Sequence, residues 1–329
     1  WHRRSSLHHT PMRSLAFLTV ALTQLAFAHD CYKKDAFDAA GEFALSGCTN
    51  LVLKDHDIGT AGAEKLAAEL RTNTELKHLL VHMDHIRDAG VVHIAEALRY
   101  NTALTMLNLH DNNIGDDAAH ALADALLANR VLDQLILIDS NIGDVGVESI
   151  AAALATNKPA LHTLLIGYNE RGITCRGATA LATALQTNTV LQKLVLHKNA
   201  IGVDGAKALA ESLRDHTKLD LLNLWENPIG DEGAIALATA LETNRALEHL
   251  DLRECNIGER GMLALAAALT KNPILKTLSL EGNTFTENGI AAINAIPGYS
   301  DLNFNKRIQY RIEKEHEIYG KWYGHEHEL

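Results

Sequence analysis

From Cys48 to about Pro297 the apolar residues change their spacing halfway through every stretch of about 28 residues. The first half alternates, as in Leu104, Leu107 and Leu109, which predicts a short strand with one buried face. The second half returns every three or four residues. Ala234, Leu237, Ala238 and Leu241 form one such stripe, repeated by Ala206, Leu209, Ala210, Leu213 and by Met262, Leu265, Ala266, Leu269. That spacing predicts a helix with one buried side. First positions fall at Cys48, Leu76, Leu104, Leu132, Leu161, Leu191, Leu219, Leu247 and Leu275, so nine repeats share one register. Strand, crossover helix and strand in succession predict parallel strands joined by right-handed crossovers. Strands stack at roughly 4.8 Å and helices at about 8–10 Å, so such a stack curves with its helices outside. The expected fold class is an α/β solenoid, a horseshoe with a concave parallel sheet and convex helices.

Polar residues punctuate the frame. Asp116, Asp144 and Asp231 are expected just before helices, where a carboxylate can accept from free backbone N–H groups. Asn112, Asn169, Asn199, Asn227 and Asn283 recur near position nine and are expected to bond loop backbone in a ladder. Cys255 takes that place in the eighth repeat, as a structural thiol. Asn73, Asn101, Asn129, Asn157, Asn188, Asn244 and Asn272 fall near helix ends, where a left-handed residue is expected. The recurring IGxxG sequences read as turns.

The whole frame, LxxLxLxxN-x-IG-x-x-G-x-x-x-LAxAL, resembles the leucine-rich repeats of the ribonuclease-inhibitor subfamily. Ile229-Gly230-Asp231-Glu232-Gly233-Ala234 is also similar to the repeats of NOD-like receptors. The resemblance implies a horseshoe that binds proteins on its concave face. It does not imply which protein, because the repeated residues specify fold and the variable ones specify binding.

The flanks break the frame. Residues 1–21 read as a leader, with Met12 to Ala28 arranged like a secretory signal: a basic start, an apolar run and an A-x-A ending. Residues 22–47 read as a degenerate first repeat or amino-terminal cap, with Leu22, Leu25 and Phe27 as its strand and Asp35 to Leu45 as its helix. Residues 298–329 read as a carboxyl-terminal cap or tail. A cytoplasmic location is expected, with the secretory pathway as the alternative if the leader is cleaved. The cysteines, Cys31, Cys48, Cys175 and Cys255, lie too far apart for a zinc site and are not expected to form a disulfide framework.

A chain of 329 residues is too long for one rounded core, and lengthwise repetition answers that. Aromatics make up only 5% of it, so Leu and Ala must fill the core. A net charge of -11 disfavours nucleic acid and leans towards a basic protein partner; no membrane association is expected.

The strand face turned away from the helices is where a partner is expected. Its fifth positions include Ile136, Leu165 and Val195, read as an exposed apolar stripe. Its seventh and eighth positions include Asp111, Asp139, Tyr168, Trp225, Glu226, Arg253 and Glu254. Trp225, Tyr168 and Arg253 are the expected anchors, because aromatic and arginine side chains dominate binding energies. Arg171 and Arg176, beside an insertion in the fifth repeat, are possible loop contacts. His78, His82, His110, His197 and His249 also fall on this face and read as solvated, with His82 and His110 at one column of adjacent strands. No metal and no cofactor is predicted. There is no GxxxxGK[ST], HExxH or GxSxG, so no catalytic site is predicted either. The function expected is a non-catalytic protein-binding module. The alternatives are a GTPase-activating regulator resembling Ran GTPase-activating proteins, disfavoured by equal numbers of acidic and basic side chains after residue 305, and a passive scaffold.

Overall fold

A computed structural model of the protein describes residues 30–32, 43, 45–169, 172–284 and 286–296. All fall in one of the chain's two units, Phe27–Ser300. The alternating halves form strands and the stripe halves form helices. After β1 (Asp30–Tyr32) come β2 (Asn50–Lys54), α1 (Gly59–Leu70), β3 (His78–His82), α2 (Arg87–Leu98), β4 (Met106–Asn108) and α3 (Asp116–Ala128). Next are β5 (Gln134–Ile136), α4 (Asp144–Ala155), β6 (Thr163–Leu165), α5 (Cys175–Leu185), β7 (Lys193–Val195) and α6 (Val203–Asp215). The series closes with β8 (Leu221–Asn223), α7 (Gly230–Leu241), β9 (His249–Asp251), α8 (Glu259–Leu269), β10 (Thr277–Ser279) and α9 (Glu287–Asn294).

The ten described strands make one parallel sheet in sequence order. Register follows the repeat, with Leu107 level with Leu135, then Leu164, Leu194, Leu222 and Leu250. These leucines are buried between sheet and helices together with Ala234, Leu237, Ala238 and Leu241 of α7. The insertions between β5 and β7 leave the pairing of β6 unbroken, so loops absorb them.

Two asparagine ladders tie the repeats. Buried Asn227 donates from Nδ2 to the carbonyls of Leu196 (2.8 Å) and Leu224 (3.0 Å), and its Oδ1 accepts from Ile201 N–H. Asn112, Asn199 and Asn283 repeat the pattern. In the same place the Cys255 thiol donates to Leu224 and Arg253 carbonyls, and burial pushes its pKa up to about 12. That leaves an inert structural thiol, as expected.

The second ladder corrects the left-handed reading of the helix-end asparagines. Among them only Asn157 has a positive φ. Asn101, Asn129, Asn188, Asn244 and Asn272 instead reach the last helix of the preceding repeat from Nδ2, as Asn244 does to Leu213 O at 2.6 Å. Their Oδ1 atoms accept from the two following strand-leading amides, for example Ala246 and Leu247 N–H. His216 fills the same slot after α6 and accepts Leu219 N–H at Nδ1, a role that needs the neutral ring its burial favours.

The capping aspartates are also corrected. Asp116, Asp144 and Asp231 are first-turn residues whose carboxylates cap the next repeat's helix, not their own. Asp231 Oδ1 accepts from Gly258 (2.7 Å) and Gly261 (3.0 Å), and Asp116 Oδ1 does the same with Gly143 and Gly146. Asp144 Oδ1 accepts from Thr174 and Gly177. A negative charge at those amide-rich ends is favourable. The IGxxG sequences are not merely turns, because the second glycine lies inside the helix. A Cβ on Gly233 would come within 2.9 Å of the Ala206 Cβ, so the glycine sets how closely α7 approaches α6.

At the amino-terminal end the strand beside β2 is Asp30–Tyr32, 20 residues before Asn50 and outside the 28-residue frame. Cys31 and Cys48 form a disulfide there. This single bridge is not a framework, since Cys175 and Cys255 stay free, but the sequence reading does not anticipate it: Cys48 occupies a first-position core slot, which places it beside β1. The expected strand over Leu22 to Phe27, most of the expected helix over Asp35 to Leu45, the signal-like run and the tail after 298 lie outside the described residues.

Candidate protein-binding surface

Position eight lies in the turn that follows each strand, and there the backbone is left-handed in eight non-glycine residues. They are Asp55, Met83, Asp111, Asp139, Tyr168, Lys198, Glu226 and Glu254, with φ between 50° and 56°. The ladder enforces this conformation. Tyr168 N–H donates to His197 O, Lys198 to Trp225 O, Glu226 to Arg253 O and Glu254 to Glu281 O, each at 2.8 Å. The side chains at this column therefore form a regular rim along one edge of the strand face. Tyr168 and Glu254 are exposed on it, while Glu226, Asp111 and Asp139 are half-buried.

Inside the rim, seventh-position side chains interlock. Trp225 is not the exposed anchor its sequence position suggests: only 3% of it is accessible. Its ring stacks on His197 (centroids 5.5 Å apart, planes within 8°). The Arg253 guanidinium lies 4.7 Å from its centre and the Lys198 ammonium 5.2 Å, and Nε1 donates to Glu254 Oε1 at 3.3 Å. Cations over an indole face are attracted by its quadrupole. Lys198 also lies 4.8 Å from the Tyr168 ring and pairs with Glu226 at 3.2 Å. Arg253 is likewise committed, forking onto Asp251 with Nε–Oδ1 2.9 Å and Nη2–Oδ2 2.7 Å.

Gly167 makes room for this stack. A Cβ there would lie 2.2 Å from two atoms of the His197 ring, so no other residue fits without moving it. Burial, then Lys198 and Arg253, push the His197 pKa down to about 3, and its Nδ1 has no hydrogen-bond partner. His197 and His110 are thus buried rather than solvated as expected.

The apolar stripe is corrected in the same way. Ile136, Leu165 and Val195 stand level on β5, β6 and β7, and each is 4% accessible. In-register neighbours lie close enough to cover one another's flanks. Arg176 is the second residue of α5, not a loop residue. Its Nε and Nη2 fork onto Glu148 of the preceding helix, holding its charge on the helix side. Arg171 lies outside the described residues.

Three features escaped the sequence reading: the left-handed rim, the His197–Trp225 stack and the reach of Asp111 towards His82 and His110. The 28-residue step did signal which residues share a column. It could not signal a positive φ at residues as varied as Asp, Tyr, Lys and Glu.

These features define the class: an α/β solenoid with one parallel sheet. Four segments, residues 100–123, 187–210, 216–238 and 243–266, match the family model described as Leucine Rich repeat. No curated protein matches the chain. Among solved structures, leiomodin-1 actin-binding site 2 aligns with 50% of this chain and 95% of its own, at 23% identity and a TM-score of 0.40. Among the described residues no helix is long and apolar enough to cross a membrane.

Proposed function

We propose that this solenoid is a non-catalytic protein-binding module whose partner docks along the rim of the strand face. The observation that supports this reading is the left-handed rim. A non-glycine residue in that conformation costs roughly 1 kcal/mol, and glycine would relieve it. Only the last repeat has glycine there, Gly282, whereas eight preceding repeats keep a side chain. Local strain retained in a row is a mark of use. Five of those eight are Asp or Glu, which fits a basic partner surface. The expected anchors shift outward, from Trp225 to Tyr168 with Glu226 and Glu254.

A Tyr168→Ala/Glu226→Ala/Glu254→Ala variant should fold normally, since none of the three fills the core. Wild-type and variant protein would be used for quantitative capture from the native cell. Partners held by the wild type are expected to fall at least tenfold with the variant, and to weaken with added salt. Equal capture by both would overturn rim binding and favour a passive scaffold.

For location, the Cys31–Cys48 disulfide supports the secretory alternative over the cytoplasmic expectation, because structural disulfides persist in oxidising compartments. Non-reducing peptide mapping of protein from its native cell is expected to recover Cys31 and Cys48 cross-linked. Recovery of both as free thiols would restore the cytoplasmic reading.

A further inference from the structure

We propose that His82, His110 and Asp111 bind a divalent transition-metal ion of the zinc class. The site shares Asp111 with the rim, but its test needs no partner protein. It arises from register: β3 and β4 pair with Leu80 level with Asn108, and two residues further His82 comes level with His110 on the same face. Their ring centroids are 4.4 Å apart with the planes tilted by 45°. Asp111 follows in the left-handed conformation, fixed on both sides by the ladder. Its N–H donates to Ile138 O and its carbonyl accepts from Met83 N–H, both at 3.1 Å. One ligand atom from each of the three side chains lies within 4.8 Å of the others.

The chemistry of the donors matches the ion class. Two imidazoles and one carboxylate suit zinc and its neighbours, and leave a position open, whereas magnesium and calcium prefer all-oxygen sets. Ligand atoms on a tetrahedral ion lie roughly 3.3 Å apart, given bonds of about 2.0–2.1 Å. The three side chains therefore need to close by at most about 1.5 Å, which rotation of the half-buried His82 and Asp111 side chains supplies. Asp139 Oδ2 lies 4.0 Å from His110 Nε2, close by but beyond hydrogen-bond reach.

The test uses the full chain, titrated with Zn²⁺ by calorimetry and with Co²⁺ by its visible d–d absorption. One ion per chain is expected, with the intense spectrum of low-coordinate cobalt, and no response to Mg²⁺. Asp111→Asn keeps a residue tolerant of positive φ, and His82→Gln is half-buried, so circular dichroism should show both folded. Each is expected to weaken Zn²⁺ binding at least tenfold. His120→Gln, a control on α3, should bind as wild type does. Absence of binding by the wild type, or equal binding by wild type and both site variants, would overturn the proposal.

Discussion

Lowering the pH from 6.5 to 4.5 is expected to destabilise the solenoid by about 2–3 kcal/mol more in the wild type than in a His197→Phe variant. The native pKa of His197 is pushed down to about 3, first by burial and then by Lys198 and Arg253. In the unfolded chain the same ring titrates near 6.5. Between those values the unfolded state holds a proton that the native state does not. The contribution of neutral His197 is thus complete above about pH 6.5 and is lost as pH falls, at up to about 1.4 kcal/mol per unit. Phenylalanine keeps a flat ring between Gly167 and Trp225 but cannot take a proton. Carboxylates contribute to acid unfolding in both proteins, so the difference between their pH slopes isolates the histidine. Equal slopes would show that His197 is solvated and titrates normally.

The pattern of the chain made the fold readable because nine repeats share one frame, and each change of period marks a real change of element. Leu107, Leu135 and Leu164 stand level in the sheet as the 28-residue step requires. What the pattern could not carry is direction and depth. Asp231 sits at a helix start whether it caps its own helix or the next, and only the structure places its oxygen on Gly258 and Gly261. Alternation assigned Ile136, Leu165 and Val195 to the right face but said nothing of how fully their neighbours cover them. The same holds for Trp225, whose cover comes from His197 one repeat back and Arg253 one repeat on. The disulfide stayed hidden because Cys31 lies on a strand outside the repeat frame, so no spacing linked it to Cys48. The candidate metal site was half visible: one column predicted His82 beside His110, but Asp111 joins them through a turn conformation that its residue type does not reveal.

Replacing Trp225 with alanine is expected to cost about 3–5 kcal/mol, the usual range for deleting a large buried aromatic. The cost has named parts. His197 loses its stacking partner, Arg253 and Lys198 lose the ring face beneath them, and Glu254 loses the indole N–H. Because a solenoid is stabilised repeat by repeat, the damage should be local. Hydrogen exchange is expected to accelerate in β7, β8 and β9 while β3 and β4 keep their protection. Trp225→Phe retains a ring for stacking and for the cations but not the N–H, so it should lose about 1 kcal/mol. Urea unfolding followed by circular dichroism measures all three proteins, and the same variants enter the capture experiment. If Trp225→Ala costs less than about 1 kcal/mol yet abolishes partner capture, the indole is a binding anchor and the rim reading fails. If it loosens β7 to β9 and the rim variant abolishes capture while losing no more than about 1 kcal/mol, that of the indole–Glu254 hydrogen bond, support and contact are separate jobs. Trp225 then holds the face in shape, and Tyr168, Glu226 and Glu254 meet the partner.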